Sequence, residues 1–215
     1  MVPISSDDSA SNPRQLKDEL WVFPPNKLCH GSRSWWLGCQ PEPVLIDCPP
    51  VNQSTIDWLK RLSGGRPSRI LLTNREAHGG VAKLQDELGW PVLVQEQEAY
   101  LLPGLKQIES FAEEHVTGSG LRLFWTPGPT PGSCVIYSPP PWNVLFCGRL
   151  LIPLKLNRLA AFRTKRTFHW SRQQKSLRKL LQWLPRDSRP SLASGAGVNA
   201  SGGGTLFKWE DWERR

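Results

Sequence analysis

The chain has 215 residues, 39% of them hydrophobic and 21% charged, and a net charge of +8. That size and balance predict a substantial core and exclude a wholly disordered chain. Five cysteines (29, 39, 48, 134 and 147) without a CxxC or any paired spacing exclude a disulfide framework and are expected as buried, reduced cytoplasmic thiols.

Residues 1–17, polar and acidic, contain no apolar run of the kind a secretory signal needs, and are expected as a flexible arm before a single domain over 18–215. No uninterrupted apolar stretch anywhere is long enough to span a bilayer. Strands are predicted at LWVFPPN (20–26), SWWLGC (34–39) and PVLIDCPP (43–50). A helix is predicted over 52–65, with Ser54 as N-cap, Asp57 completing a capping box, Ile56, Leu59 and Leu62 on one face, and Gly64-Gly65 as the stop. RILLT (69–73) reads as a buried strand, 79–90 as a second helix and PVLVQ (91–95) as a further strand. This alternation is the signature of βαβ units in a covered, largely parallel sheet. A polar connector is expected over 106–119, then strands at LRLFW, CVIYS and NVLFCG. A helix over 168–184 should bury Trp170, Leu177, Leu180, Leu181 and Leu184, leaving Arg172, Lys175, Arg178 and Lys179 elsewhere. The C-terminal segment is Gly/Ser-rich, then aromatic and charged.

Charge is spread unevenly. Residues 1–114 hold 11 Lys/Arg against 15 Asp/Glu, whereas residues 115–186 hold 12 Lys/Arg and no acid. Such a run has two readings. It is either a solvated basic face or a surface for an anionic partner, whether an acidic protein, a nucleic acid or a peripheral anionic membrane.

Three loops, each after an apolar strand, carry a resemblance. LLTNREAHGG (71–80), WTPGPTPGS (125–133) and LFCGRLL (145–151), preceded by LIDCPP (45–50), resemble the signature loops of the metallo-β-lactamase superfamily. The resemblance spans roughly residues 20 to 200 and implies a four-layer αββα sandwich with its site at one sheet edge. It also implies one or two metal ions held by histidines and carboxylates, which activate water for hydrolysis.

The ligand types are missing at the matching positions. The first loop's three histidines fall on Asn74, Glu76 and Gly79, and its aspartate on His78. The second loop's histidine falls on Pro129, the third loop's bridging aspartate on Arg149, and the last histidine near Ala196. A catalytic zinc site needs about three protein ligands, so the resemblance implies a degenerate member with no metal, no cofactor and no catalytic residue. Arg149 then either fills the cation's place beside a carboxylate such as Glu76, binds an anion, or swings into solvent. Cys29-His30 reads as structural rather than as half a metal site, and His30, His115 and His169 as surface or boundary residues.

Three functions follow from these residues. The first is a non-catalytic binding or assembly factor for a protein or other anionic partner. Its contacts would lie in the basic region 149–179, at Lys155, Arg158, Arg163, Lys165 and Arg166. The second is a hydrolase with an atypical one-metal site using Glu76, His78 and Asp47. The third is a nucleic-acid-binding module.

Overall fold

A computed structural model describes residues 12–154, 158–196 and 205–213. In chain order the first half comprises β1 (Arg14–Lys17), β2 (Leu20–Val22), β3 (Trp35–Leu37), β4 (Val44–Ile46), α1 (Gln53–Ser63), β5 (Arg69–Leu71), α2 (Val81–Leu88), β6 (Val92–Gln95), α3 (Glu96–Ala99) and β7 (Ile108–Phe111). The second half comprises β8 (Glu114–Val116), β9 (Arg122–Trp125), β10 (Cys134–Ser138), β11 (Val144–Phe146), β12 (Ile152–Pro153), β13 (Leu159–Ala160), α4 (Trp170–Trp183), β14 (Ser191–Ala193) and β15 (Trp212–Glu213).

The seven strands β1 to β7 form one sheet in sequence order. Pairing is antiparallel from β1 to β4 and parallel from β4 to β7. The change occurs at β4 because α1 carries the chain back over the sheet, and a parallel neighbour requires such a crossover. A second sheet has the order β14-β11-β10-β9-β8, and a small third sheet the order β12-β13-β15.

Alternation along single strands explains the layers. Trp35 and Leu37 of β3 face the second sheet, where they join Ile136 of β10 and Phe146 of β11 in one cluster. Trp36, between them, faces the other way and packs with Ile56 and Leu59 of α1 and Leu84 of α2. Val135 and Tyr137 of β10 point outward to Leu180 of α4 and Leu159 of β13. The central strands of the two large sheets are therefore covered on both faces, which is why they read as continuous apolar runs. The arrangement is the expected αββα sandwich.

Several local expectations are corrected. The arm ends before residue 14, because Arg14 and Gln15 pair with Val22 and Trp21; residues 1–11 lie outside the described part. The N-cap of α1 is Asn52, whose side chain accepts from Thr55 N at 2.9 Å, not Ser54. The connector at 106–119 contains β7 and β8, whose side chains are mostly exposed, so their periodicity carries no apolar signal. α4 buries Gln173, Ser176 and Leu180, while Leu181 stays 42% exposed. Polar residues take the buried face of its first half because turn carbonyls, not apolar side chains, lie beneath it.

Candidate functional site

The site is built on three loops at the ends of β5, β9 and β11. Beneath it lies Asp47, one residue past β4, at φ +60 and 1% exposed. Its carboxylate accepts from Thr73 N at 2.8 Å and from Thr73 Oγ1 at 2.8 and 2.9 Å. Burial pushes its pKa up to about 7, against the lowering effect of the Thr73 hydrogen bonds. Asn74 extends the chain of bonds. Its Nδ2 donates to Thr73 Oγ1 at 2.9 Å, and its Oδ1 accepts from Glu76 N at 3.0 Å, capping the short 3-10 turn Arg75–Ala77. Asp47, Thr73 and Asn74 thus use their polar groups on one another.

Glu76 and His78 leave that turn on the open side. With Leu28, His30, Arg75, Gly79 and Leu101 they line a cleft of about 470 Å³. Arg149, at the end of the β11 loop, reaches Glu76 Oε2 with Nη1; both side chains are mostly buried. This contact is one of opposite charges rather than of aligned hydrogen bonding, since Arg149 Nη1 has no partner in hydrogen-bond geometry among the described residues. A second guanidinium shares the same oxygen: Arg166 Nη1 lies 3.3 Å from Glu76 Oε2, and its Nη2 lies 2.5 Å from His30 Nδ1. Burial, then the nearby Arg166, lowers the Arg149 pKa; burial, Arg166 and Arg149 lower that of His30. The lowered His30 pKa favours the neutral ring, whose Nδ1 then accepts from Arg166.

Arg166 is delivered by a tight turn. Thr164 N donates to Thr167 Oγ1 at 2.9 Å, and Arg166 N to Thr164 Oγ1 at 3.2 Å. The next residues lie on the TPGPTPGS turn, with Phe168 N donating to Pro129 O at 3.1 Å and His169 N to Gly128 O at 2.9 Å. Ser176 Oγ donates to Pro127 O at 2.7 Å. The far side of the turn is anchored by buried Glu98, which accepts from Thr130 Oγ1 at 2.6 Å, from Gly132 N at 2.8 Å and from Arg75 Nε at 2.8 Å. The two Pro-Gly units therefore serve as the floor for α4 and the lid for Glu98. That role requires backbone shape and no ligand at residue 129.

The structure brings Glu76 and Arg149 together, with His78 lining the same cleft as Glu76 and Asn74 bonded to Glu76 N; Pro129 and Ala196 are buried. The expected Arg149–Glu76 pair is present. Gly79 (φ +38) admits no side chain, because a Cβ there would lie 2.6 Å from Cys29 Sγ. Metal ions of the kind the resemblance implies do not fit these residues. Asn74 is committed to Thr73 and Glu76, Pro129 offers no donor atom, and guanidinium nitrogens stand where carboxylate oxygens would be needed. Among the described residues no three His, Cys, Asp or Glu side chains come together to hold a metal ion.

Of the expected partner contacts, Lys155 lies outside the described residues. Arg158 pairs with Glu213 at 3.1 Å, and Arg166 is turned into the cleft. Arg163 and Lys165 remain exposed. Sequence reasoning missed His30, Arg75 and Glu98 as site residues. His30 and Glu98 come from the segment 26–32 and from α3, which only the fold brings to this edge, and Arg75, inside the 71–80 loop, occupies no ligand position of the resemblance.

No family model and no curated protein matches the sequence. Solved structures do resemble this one. BLEG-1 B3 metallo-β-lactamase superimposes with a TM-score of 0.66 at 22% identity, over 89% of this chain and 95% of that one. The metallo-β-lactamase from Pontibacter korlensis does so with a TM-score of 0.69 at 19% identity, over 93% and 94%. The di-iron-bound form of TTHA1623 gives a TM-score of 0.60 at 23% identity, over 81% and 91%. At these identities the likeness establishes the fold: this chain has the metallo-β-lactamase fold, and the group able to hold a metal is missing from its described residues.

Proposed function

We propose that this metallo-β-lactamase-fold chain is a non-catalytic binding protein whose partner is anionic. The observation that carries the reading is the pair of guanidiniums, Arg149 and Arg166, on the single carboxylate of Glu76. Where a hydrolase of this fold would set cations to activate water, this chain sets fixed organic cations. These neutralise Glu76 and can neither bind water as a Lewis acid nor lower its pKa as a metal does. Glu76 is held between two arginines, Asp47 is sealed beneath Thr73, and His78 belongs to no group of three metal-ligating side chains among the described residues. That geometry supports the binding reading over a one-metal hydrolase using the same three residues.

The discriminating experiment is elemental analysis of protein purified without chelator, before and after incubation with equimolar zinc, iron or manganese. The expected result is well below stoichiometric metal in both samples. About one tightly held metal ion per chain would overturn the proposal.

A further inference from the structure

The cations outside the cleft gather on one face. Arg172, Lys175, Arg178 and Lys179 are all exposed on α4, and Arg163 and Lys165 on the loop before it. Among the described residues none of the six pairs with a carboxylate, whereas Arg66, Arg69 and Arg75 of the first half do. Aromatic surface flanks the same cations on both sides of the helix. On one side Phe124, Trp125 and Pro127 form the floor under Arg172, Lys175 and Lys179, with Glu113 the lining carboxylate. On the other, a groove of about 540 Å³ runs past Phe162, Trp170 and Trp212, bordered by Arg163 and Arg178, with Glu213, the partner of Arg158, its lining carboxylate. Phe162 and Phe168 are 57% and 53% exposed. Large aromatic side chains left that open, beside unpaired cations, cost solubility and solvation without stabilising the core.

We infer that this face, α4 with the loop at 162–168, binds single-stranded nucleic acid. The cations meet backbone phosphates and the open phenyl rings meet unpaired bases. This deepens the binding reading above by giving its partner a chemical class. Cationic grooves that track phosphates, with aromatic rings on which bases stack, are the recurring physical solution for single strands. A duplex offers the charge but keeps its bases stacked away from Phe162 and Phe168. A second copy of this chain would bring like charge against like. An acidic protein segment would satisfy the cations but gains less from exposed flat rings, and it is tested directly below.

The experiment is fluorescence anisotropy with labelled dT20 and rU20 at 50 and 200 mM salt, with a labelled polyglutamate 20-mer alongside. Three to five phosphate contacts predict a slope of about −2 to −3.5 in log affinity against log salt. The triple reversal Arg172→Glu, Lys175→Glu, Lys179→Glu should lower affinity at least about tenfold and flatten that slope. Phe162→Ala with Phe168→Ala should lower affinity roughly five- to a hundredfold while leaving the slope unchanged, a readout that general charge attraction does not produce. Circular dichroism of each variant checks the fold. No saturable binding of either oligonucleotide at 50 mM salt overturns the inference. So does an affinity that both variants leave intact, or polyglutamate binding as tightly as the oligonucleotides. Absence of binding with absence of metal removes this inference and leaves the non-catalytic reading standing. Cleavage of the labelled strand on adding zinc removes that reading and leaves the binding face standing.

Discussion

Asp47 is a carboxyl group held in a place that disfavours its charge. It is buried, bonded only to Thr73 among the described residues, and has a pKa of about 7. In the unfolded chain the value returns to about 4. The folded state therefore binds the proton more tightly between those limits, and stability falls as pH rises through that window. The contribution is fully present below pH 4 and lost above pH 7, with a ceiling of about 4 kcal/mol. Asp47→Asn removes the charge, keeps the shape, and suits φ +60, which asparagine tolerates well. Urea midpoints of the wild type should fall between pH 5 and pH 8 more than those of Asp47→Asn, and the variant should be the more stable at pH 8. Equal pH dependence in the two proteins would show that Asp47 does not titrate in this range. Asn74 and Arg149 belong to the same scale. Both were legible as departures from a ligand pattern, because a ligand position is a matter of residue type. That Arg166 shares the Glu76 oxygen was not, since ninety residues of chain separate the two.

At the scale of elements, the turn between β9 and β10 and the helix α4 act as one unit. Gly128 has φ +144, and a Cβ there would overlap the backbone of Gln173 in α4. The helix can shift away only by breaking the Ser176–Pro127 and His169–Gly128 bonds. Gly128→Ala should therefore cost about 2–4 kcal/mol, adding backbone strain to overpacking. Gly120→Ala is the control. Its φ of +77 is also left-handed, but nothing lies within 4 Å of its Cβ, so it should cost only about 1 kcal/mol. Thermal unfolding of both variants checks the contrast, and equal losses would mean that only the dihedral matters. The turn was legible from its Pro-Gly spacing, which dictates backbone shape locally. Its purpose was not, because the helix it carries begins about forty residues later. β7 and β8 were missed for a related reason: their side chains are mostly exposed, and backbone pairing with β6 and β9 holds them in the sheets.

For the whole molecule, cohesion rests on the layer between the two large sheets. Trp35 is fully buried there, its ring 5.5 Å from that of Phe146 in an edge-on contact. Trp35→Ala should cost about 3–5 kcal/mol, as a large cavity between two rigid sheets cannot collapse. The indole Nε1 of Trp35 has no hydrogen-bond partner among the described residues. Trp35→Phe removes that unsatisfied donor together with part of the ring, so it should cost less than about 2 kcal/mol. Denaturant unfolding of the pair decides the point. A Phe variant as unstable as the Ala variant would show that the indole N–H is satisfied after all.

The sequence by itself determined which segments are strands and helices, wherever burial on both faces imposed continuous apolar runs or burial on one face imposed helical periodicity. It also determined, through three spaced loops, that the sandwich resembles a metallo-hydrolase scaffold without its ligand types. Those are local properties of residue type and spacing. Only the tertiary structure decided what replaced the ligands. Arg149, Arg166 and His30 reach one sheet edge from three separate loops and Glu98 from α3, and an ion pair depends on distance in space rather than along the chain. The same holds for the basic segment. In sequence it is twelve cations without an acid; folded, it divides into Arg149 and Arg166, which neutralise Glu76, Arg158, which meets Glu213, and the α4 face, whose cations pair with no carboxylate among the described residues although Glu113 and Glu213 line the aromatic grooves beside them.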